Sequence, residues 1–120
     1  MSADPVALVE GQLAAYNDHD LERFCSFFAE DVEIALLGSD QPALGGMDAF
    51  RSRYTERFAN TPDIHCTITQ RLVQGQFVID QERLTMSGAP ERSVVAIYQV
   101  DGDLIRRVWF IEGQGQGQGQ

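Results

Sequence analysis

The stretch from Ala14 to Gly38 places a helix end, a polar turn, a second helix and the start of a strand in immediate succession. Helices joined so tightly must pack together, and the strand that follows begins the surface they cover. Upstream, Asp4-Pro5 is a helix start: Asp caps it, and proline at the first helical position lacks only an N–H that would have no partner there. Val6, Val9, Leu13 and Tyr16 recur at helical spacing and define a buried face. Gly11 weakens this helix slightly but allows close packing. Asn17-Asp18-His19 ends it, and Asp20 caps a second helix with Leu21, Phe24, Cys25 and Phe28 on its buried face. Ala29-Glu30-Asp31 closes that helix, and Val32 to Leu36 alternates as a strand does.

Gly38 to Gly46, with its Ser, Asp, Pro and paired Gly, reads as a loop. Gly46-Met47-Asp48 opens a third helix with Phe50, Tyr54 and Phe58 on one stripe and Arg51, Arg53 and Arg57 off it. Asn60-Thr61-Pro62-Asp63 ends that helix. The remainder reads as strands: Ile64 to Ile68, Phe77 to Met86 after a turn at Gln74-Gly75, Ser93 to Val100, and Leu104 to Glu112 after Asp101-Gly102-Asp103. This order predicts an α+β fold, three N-terminal helices on a curved, mostly antiparallel sheet. The chain of 120 residues has room for one core, so residues 1–112 are expected to form a single domain. From Gly113 the repeated Gly-Gln offers no apolar surface and predicts a disordered tail over 113–120.

A formal net charge of -9 repels phosphate backbones and anionic lipid, which argues against nucleic acid and membrane surfaces as partners. No segment approaches the ~20 apolar residues that span a bilayer. Met-Ser-Ala-Asp-Pro carries neither a basic region nor an apolar run, so no signal peptide is expected and the cytoplasm is the expected compartment. There Cys25 and Cys66 are expected as reduced core residues. All nine basic residues are Arg, which excludes Schiff-base and lysine-nucleophile chemistry. No zinc-type ligand spacing occurs, and no cofactor motif is read: Gly45-Gly46 lacks the Lys and spacing of a phosphate loop. Ser39, Ser87 and Ser93 have no histidine in a triad context. His19 is expected to be exposed in its turn and His65 to face the outer side of the sheet.

The first helix, the turn Asn17-Asp18-His19-Asp20, the run Phe27-Phe28-Ala29-Glu30-Asp31-Val32, the Gly-Gly-led third helix and the closing Asp-Gly-Asp-Leu-Ile hairpin together resemble the NTF2-like superfamily. The SnoaL-like and ketosteroid-isomerase-like branch is the most similar, over Val6 to Glu112. The resemblance implies a cone-shaped half-barrel with a deep pocket between helices and sheet, commonly dimeric, in a superfamily whose fold hosts many activities and none. Its isomerases use a tyrosine and a protonated aspartic acid as oxyanion donors and an aspartate as base. Counted from Asp20 and Asp31, those positions fall on Gln12, Ala96 and Leu36 respectively, so that mechanism is not expected here.

The family's inward pattern, carried across, points Tyr16, Phe28, Leu36 and Tyr54 into the pocket. From the sheet it adds Val78, Asp80, Glu82, Leu84, Tyr98, Arg106, Val108, Phe110 and Glu112. Strand parity supports the grouping, since Asp80 and Glu82 share a face with Val78 and Leu84. Two carboxyls at i, i+2 lie roughly 6–7 Å apart, and in a partly dry site their repulsion raises one pKa, giving an acid beside a base. They are the catalytic candidates. Tyr16, Phe28, Tyr54, Tyr98, Arg106, Phe110 and Glu112 are the candidates for ligand contact, with Arg106 available to hold one carboxylate or an anionic group. Two other readings stay open: Asp80, Glu82 and Arg106 as a solvated surface cluster, or a register one residue off, with Phe77, Ile79 and Gln81 inside.

The resulting expectation is a protein that binds a small, mainly apolar molecule in a central pocket. Acid/base chemistry of an isomerase, lyase or hydrolase type would act there on an unspecified substrate, and a non-catalytic carrier or dimerisation module is the alternative. The outer face, with Ile105, Arg107, Trp109 and Ile111 beside Val95 and Ile97, is the expected homodimer surface.

Overall fold

The computed structural model describes Asp4 to Glu112, so the Gly-Gln repeat lies outside the described residues. Three helices, α1 (Pro5–Asn17), α2 (Leu21–Cys25) and α3 (Met47–Asn60), precede or interrupt the sheet. The strands are β1 (Phe28–Leu36), β2 (Leu44–Gly45), β3 (His65–Gln74), β4 (Phe77–Thr85), β5 (Arg92–Asp101) and β6 (Leu104–Glu112). Both predicted caps form: Asp4 Oδ1 accepts from the Val6 N–H at 3.1 Å and Asp20 Oδ1 from the Arg23 N–H at 3.2 Å.

The six strands make one curved sheet in the order β2-β1-β6-β5-β4-β3. Only β1 and β6 run parallel; the other neighbours are antiparallel. Two hairpins set the register of its C-terminal half. Gln74 opposes Phe77 and Asp101 opposes Leu104, leaving two-residue loops that begin with Gly75 (φ 58°) and Gly102 (φ 65°). Tight hairpin loops need a positive φ at this position, which glycine adopts without steric penalty.

Three features depart from the sequence reading. Helix α2 stops at Cys25, and Phe28 to Asp31, expected to finish it, belong to β1. Phe27 and Phe28 fit an apolar helix face as well as a strand, and β6 decides the contest. The Phe27 carbonyl accepts from the Ile105 N–H at 2.9 Å, and Phe28 lies opposite Ile105. Inside the predicted loop, Leu44 and Gly45 pair with Ile34 and Glu33 as β2. On β6, Gln99 opposes Arg107 while Val100 opposes Ile105, so Arg106 is the extra residue of a bulge. The bulge changes the parity of the strand: Ile105 is fully buried rather than outward, and Arg106 faces solvent rather than the interior.

Between α2, α3 and β1 the interior is packed with rings. Phe24 lies 4.7 Å from Tyr54, 5.0 Å from Phe28, 5.6 Å from Phe50 and 5.8 Å from Tyr16, centroid to centroid. These distances suit tilted and offset aromatic contacts. Cys25 and Cys66 are both buried and are not joined in a disulfide. No helix among the described residues is long and apolar enough to cross a membrane. Phe24→Ala is expected to cost about 3–5 kcal/mol of stability, read as a lowered urea midpoint, whereas Arg106→Ala should leave the midpoint unchanged.

Candidate functional site

Strand β4 alternates strictly, so Val78, Asp80, Glu82 and Leu84 all point beneath the helices. Asp80 is 0 % exposed and Glu82 1 %. The two carboxyls are satisfied by different partners. Asp80 lies directly opposite Arg71 on β3 and is bound in bidentate fashion, Arg71 Nε donating to Oδ1 at 2.6 Å and Nη2 to Oδ2 at 2.9 Å. Arg71 Nη1 also donates to Glu10 Oε1 of α1 at 2.8 Å, tying the first helix to the edge strand. Hydrogen bonding to Asp80 is the main reason that the Arg71 pKa is raised.

Glu82 is held differently. The Tyr98 hydroxyl donates to its Oε2 at 3.1 Å, and Gln12 Nε2 donates to the Tyr98 oxygen at 3.2 Å and to the Val9 carbonyl at 3.0 Å. Burial, reinforced by the Asp80 charge, pushes the Glu82 carboxyl up to about 8 against the lowering effects of the Tyr98 and Cys66 hydrogen bonds and the Arg71 charge. Near neutral pH the group is mainly the protonated acid. Burial likewise raises the pKa of Tyr16, Tyr54 and Tyr98, so their hydroxyls are donors throughout the ordinary pH range. The interior face therefore holds a neutral carboxylic acid and three neutral phenols above a separately neutralised aspartate, an arrangement able to donate and return a proton.

The cross-strand rows extend this face. Glu82 lies opposite Val94, and Val94 opposite Glu112. Glu112 Oε1 is 3.7 Å from Arg92 Nη1, and desolvation raises the Glu112 pKa while Arg92, Arg53 and Arg57 lower it. Tyr16, Phe28, Tyr54, Tyr98 and Phe110 are all buried on the inner side, as the transferred pattern has them. Arg106 is the exception. It pairs at the surface with Asp31 (2.9 Å) and Asp101 (2.7 Å), because the bulge turns it outward, and Arg71 does what Arg106 was expected to do for a carboxylate. His19 also departs from expectation: it is half-buried, with Nε2 2.8 Å from the Ile64 carbonyl oxygen and its ring stacked on Phe58. His65 is exposed.

Sequence reasoning missed Gln12 as a buried polar partner and Arg71 as the counter-ion. The signal for Arg71 was present: a two-residue loop pairing Gln74 with Phe77 also pairs Arg71 with Asp80 by counting back along both strands. A bulge at Thr69 falls beyond that point and leaves this part of the register intact. Beside Arg71, α1 and β3 border an open groove of about 500 Å³ that includes Glu10, Leu13, Cys66 and Ile68. Among the described residues no group of three or more His, Cys, Asp or Glu could hold a metal ion.

The family model of the SnoaL-like domain matches residues 9–108. The chain belongs to the SnoaL-like domain family. Solved structures agree with this SnoaL-like fold. An uncharacterised cystatin-fold protein from Novosphingobium aromaticivorans is 27 % identical, with 92 % of this chain and 99 % of that one covered at a TM-score of 0.81. A Kribbella flavida protein named as a candidate ketosteroid isomerase is 22 % identical over 97 % of this chain and 82 % of its own, TM-score 0.80. A computationally designed 17-OHP binder, 15 % identical, aligns over 95 % and 94 % at 0.81. No curated protein matches the chain.

Two outcomes test the electrostatics of this SnoaL-like interior. Arg71→Gln strands a buried carboxylate and is expected to destabilise by about 3–5 kcal/mol, a loss that adding Asp80→Asn should partly reverse. For Glu82, the unfolded chain gives up the proton near 4.5 while the folded chain keeps it to about 8. The folded state thus binds more protons across that window, and Glu82 should make stability fall as pH rises through it. Urea titrations across the window should show this component of the slope in the native protein and its loss in Glu82→Gln.

Proposed function

We propose that this SnoaL-like protein binds a small, mainly apolar molecule on the inner face of the sheet and carries out general acid/base chemistry there with Glu82. The carrying observation is a fully buried glutamic acid, held protonated near neutrality and connected by hydrogen bonds to Tyr98 and Gln12. In its ionised fraction, which grows as pH approaches 8, Glu82 can take the proton from the carbon beside a carbonyl and, now protonated, return it to the enolate, with Tyr16 or Tyr54 as a neutral donor to the enolate oxygen. Asp80, bound at both oxygens by Arg71, supports the site rather than reacting. This assigns Glu82 the chemistry and leaves Phe28, Phe110 and Glu112 as contact groups. The designed 17-OHP binder supports a ligand in a fold of this shape, and the Kribbella flavida neighbour, named as a candidate ketosteroid isomerase, supports an isomerase-type activity.

A second reading is a protein without chemistry, a ligand carrier or a dimerisation module; the ring cluster around Phe24, which occupies space that any ligand pocket would leave, favours the module. Deuterium uptake at the α-carbons of a panel of cyclic ketones, followed by NMR in D2O, separates the two. Acid/base catalysis predicts exchange well above the buffer rate, reduced at least about hundredfold in Glu82→Gln with the fold retained. A carrier binds the ketones with no excess exchange.

We further propose residues 1–112 as one cytoplasmic domain that pairs with a second copy through the outer sheet face. Ile111 is 41 % exposed there, and Val95, Ile97 and Trp109 are half-buried. Sedimentation at micromolar concentration should give twice the mass of one chain, and Trp109→Glu should return it to the single-chain mass.

A further inference from the structure

Gln12, in the middle of α1, is 0 % exposed and shares the interior with Asp80 and Glu82. A Met or Leu at this position would occupy similar space with no polar group to satisfy. The amide instead leaves its Oε1 buried without a hydrogen-bond partner among the described residues, and an unsatisfied buried acceptor costs stability. Packing alone therefore gives no reason for an amide here.

The contacts of the other end supply one. Gln12 Nε2 lies 3.0 Å from the Val9 carbonyl oxygen. A carbonyl only accepts, so the NH2 end of the amide must face it, and the reverse orientation would set two carbonyl oxygens against each other. The second hydrogen of that NH2 is left for the Tyr98 oxygen at 3.2 Å. Having accepted from Gln12, the Tyr98 hydroxyl gives its single hydrogen to Glu82 Oε2 at 3.1 Å. Donation thus runs one way along the chain, from Gln12 through Tyr98 to Glu82. The unprotonated oxygen of a carboxylic acid is its better acceptor, so with Oε2 accepting, the acid form carries its hydrogen on Oε1.

We propose that Gln12 is a positioning residue of the acid/base site: by donating to the Tyr98 oxygen it commits the Tyr98 hydrogen to Glu82 Oε2 and reserves Oε1 for the proton that is transferred. The inference rests on the reading of Glu82 as the reacting group and adds what orients and tunes it. An O–H aimed at a carboxylate favours the ionised form, the form that takes a proton from carbon. With an apolar side chain in place of Gln12, the Tyr98 oxygen is open to accept. The acid can then turn its own hydrogen onto Tyr98, and the neutral form gains. The other groups that act on Glu82 stay where they are: Asp80 on its own strand, and Cys66 and Arg71 from β3. Tyr16 from α1 and Tyr54 from α3 also interact with it.

Carbon-13 NMR of protein labelled at the glutamate carboxyls follows the Glu82 proton without turnover, the Glu82 signal being identified by its loss in Glu82→Gln. Gln12→Met is expected to raise the pH at which Glu82 titrates by at least about half a unit, the scale of one neutral hydrogen bond. The rise of Glu82-dependent ketone exchange with pH should move the same way. Tyr98→Phe should raise the titration at least as far. Gln12→Met added to Tyr98→Phe should then move it by less than about 0.3 units, because Gln12 acts through the phenol. Should Gln12→Met fail to fold by circular dichroism, Gln12→Leu carries the same comparison. A titration unchanged in Gln12→Met, or moved equally with and without the Tyr98 hydroxyl, would overturn the positioning role. Ketone exchange that depends on Glu82 while its titration ignores Gln12 would sink this inference and spare the acid/base reading. The expected titration shifts without any ketone exchange would sink that reading and leave the control of the Glu82 proton by Gln12 standing.

Discussion

Asp80 and Glu82 are two carboxyl groups taken out of water by one strand face, and the surrounding structure is arranged around removing that cost. An isolated buried carboxylate is far too unfavourable for a domain of this size to carry, so each must be paired or protonated. Asp80 is paired. Its counter-ion is placed opposite it by the β3–β4 hairpin and held from the far side by Glu10, so the same guanidinium joins sheet edge and first helix. Glu82 is protonated and hydrogen-bonded to Tyr98, with Gln12 completing the chain from α1. Because both solutions recruit α1, its docking is specified by polar geometry as well as by Val9, Ala15 and Tyr16.

That docking is reinforced where the helix ends. Asn17 exchanges two hydrogen bonds with the Cys66 backbone, donating to its carbonyl at 3.0 Å and accepting from its N–H at 2.7 Å. His19 then adopts φ 56° and reaches the Ile64 carbonyl. A polar turn that looks like surface in one dimension is thus an adhesive between α1 and β3. It fixes Tyr16 over the end of the sheet where Arg92 and Glu112 lie.

Much of this was legible in the residue pattern. The α+β order, the caps at Asp4 and Asp20, and the inward parity of Val78 to Leu84 follow from local chemistry that tertiary context left intact. What was not legible depended on partners remote in the chain. The end of α2 hinged on whether Phe27 and Phe28 met a strand, and that strand is β6. Arg106 and Ile105 were misassigned because a single bulged residue inverts parity from that point towards the turn, while Val108 and Phe110 beyond it keep theirs. Arg71 could have been placed from the hairpin, since direct opposition across a two-residue loop is countable. Gln12 could not, because an amide on a helix gives no sign that its partner is a tyrosine on the fifth strand.

The parallel pairing of β1 with β6 bears on how the chain reaches this state. Phe28 finds its neighbour at Ile105, so the edge formed early in synthesis waits for the final strand to be made. Until then Phe24, Phe28 and Phe50 have no complete floor to rest on. Non-local closure of this kind slows folding and leaves apolar surface transiently open to other chains. Synthesis therefore delivers β6, the segment that locks the sheet, after the other five strands, and a nascent chain stopped short of Leu104 would carry its aromatic residues uncovered.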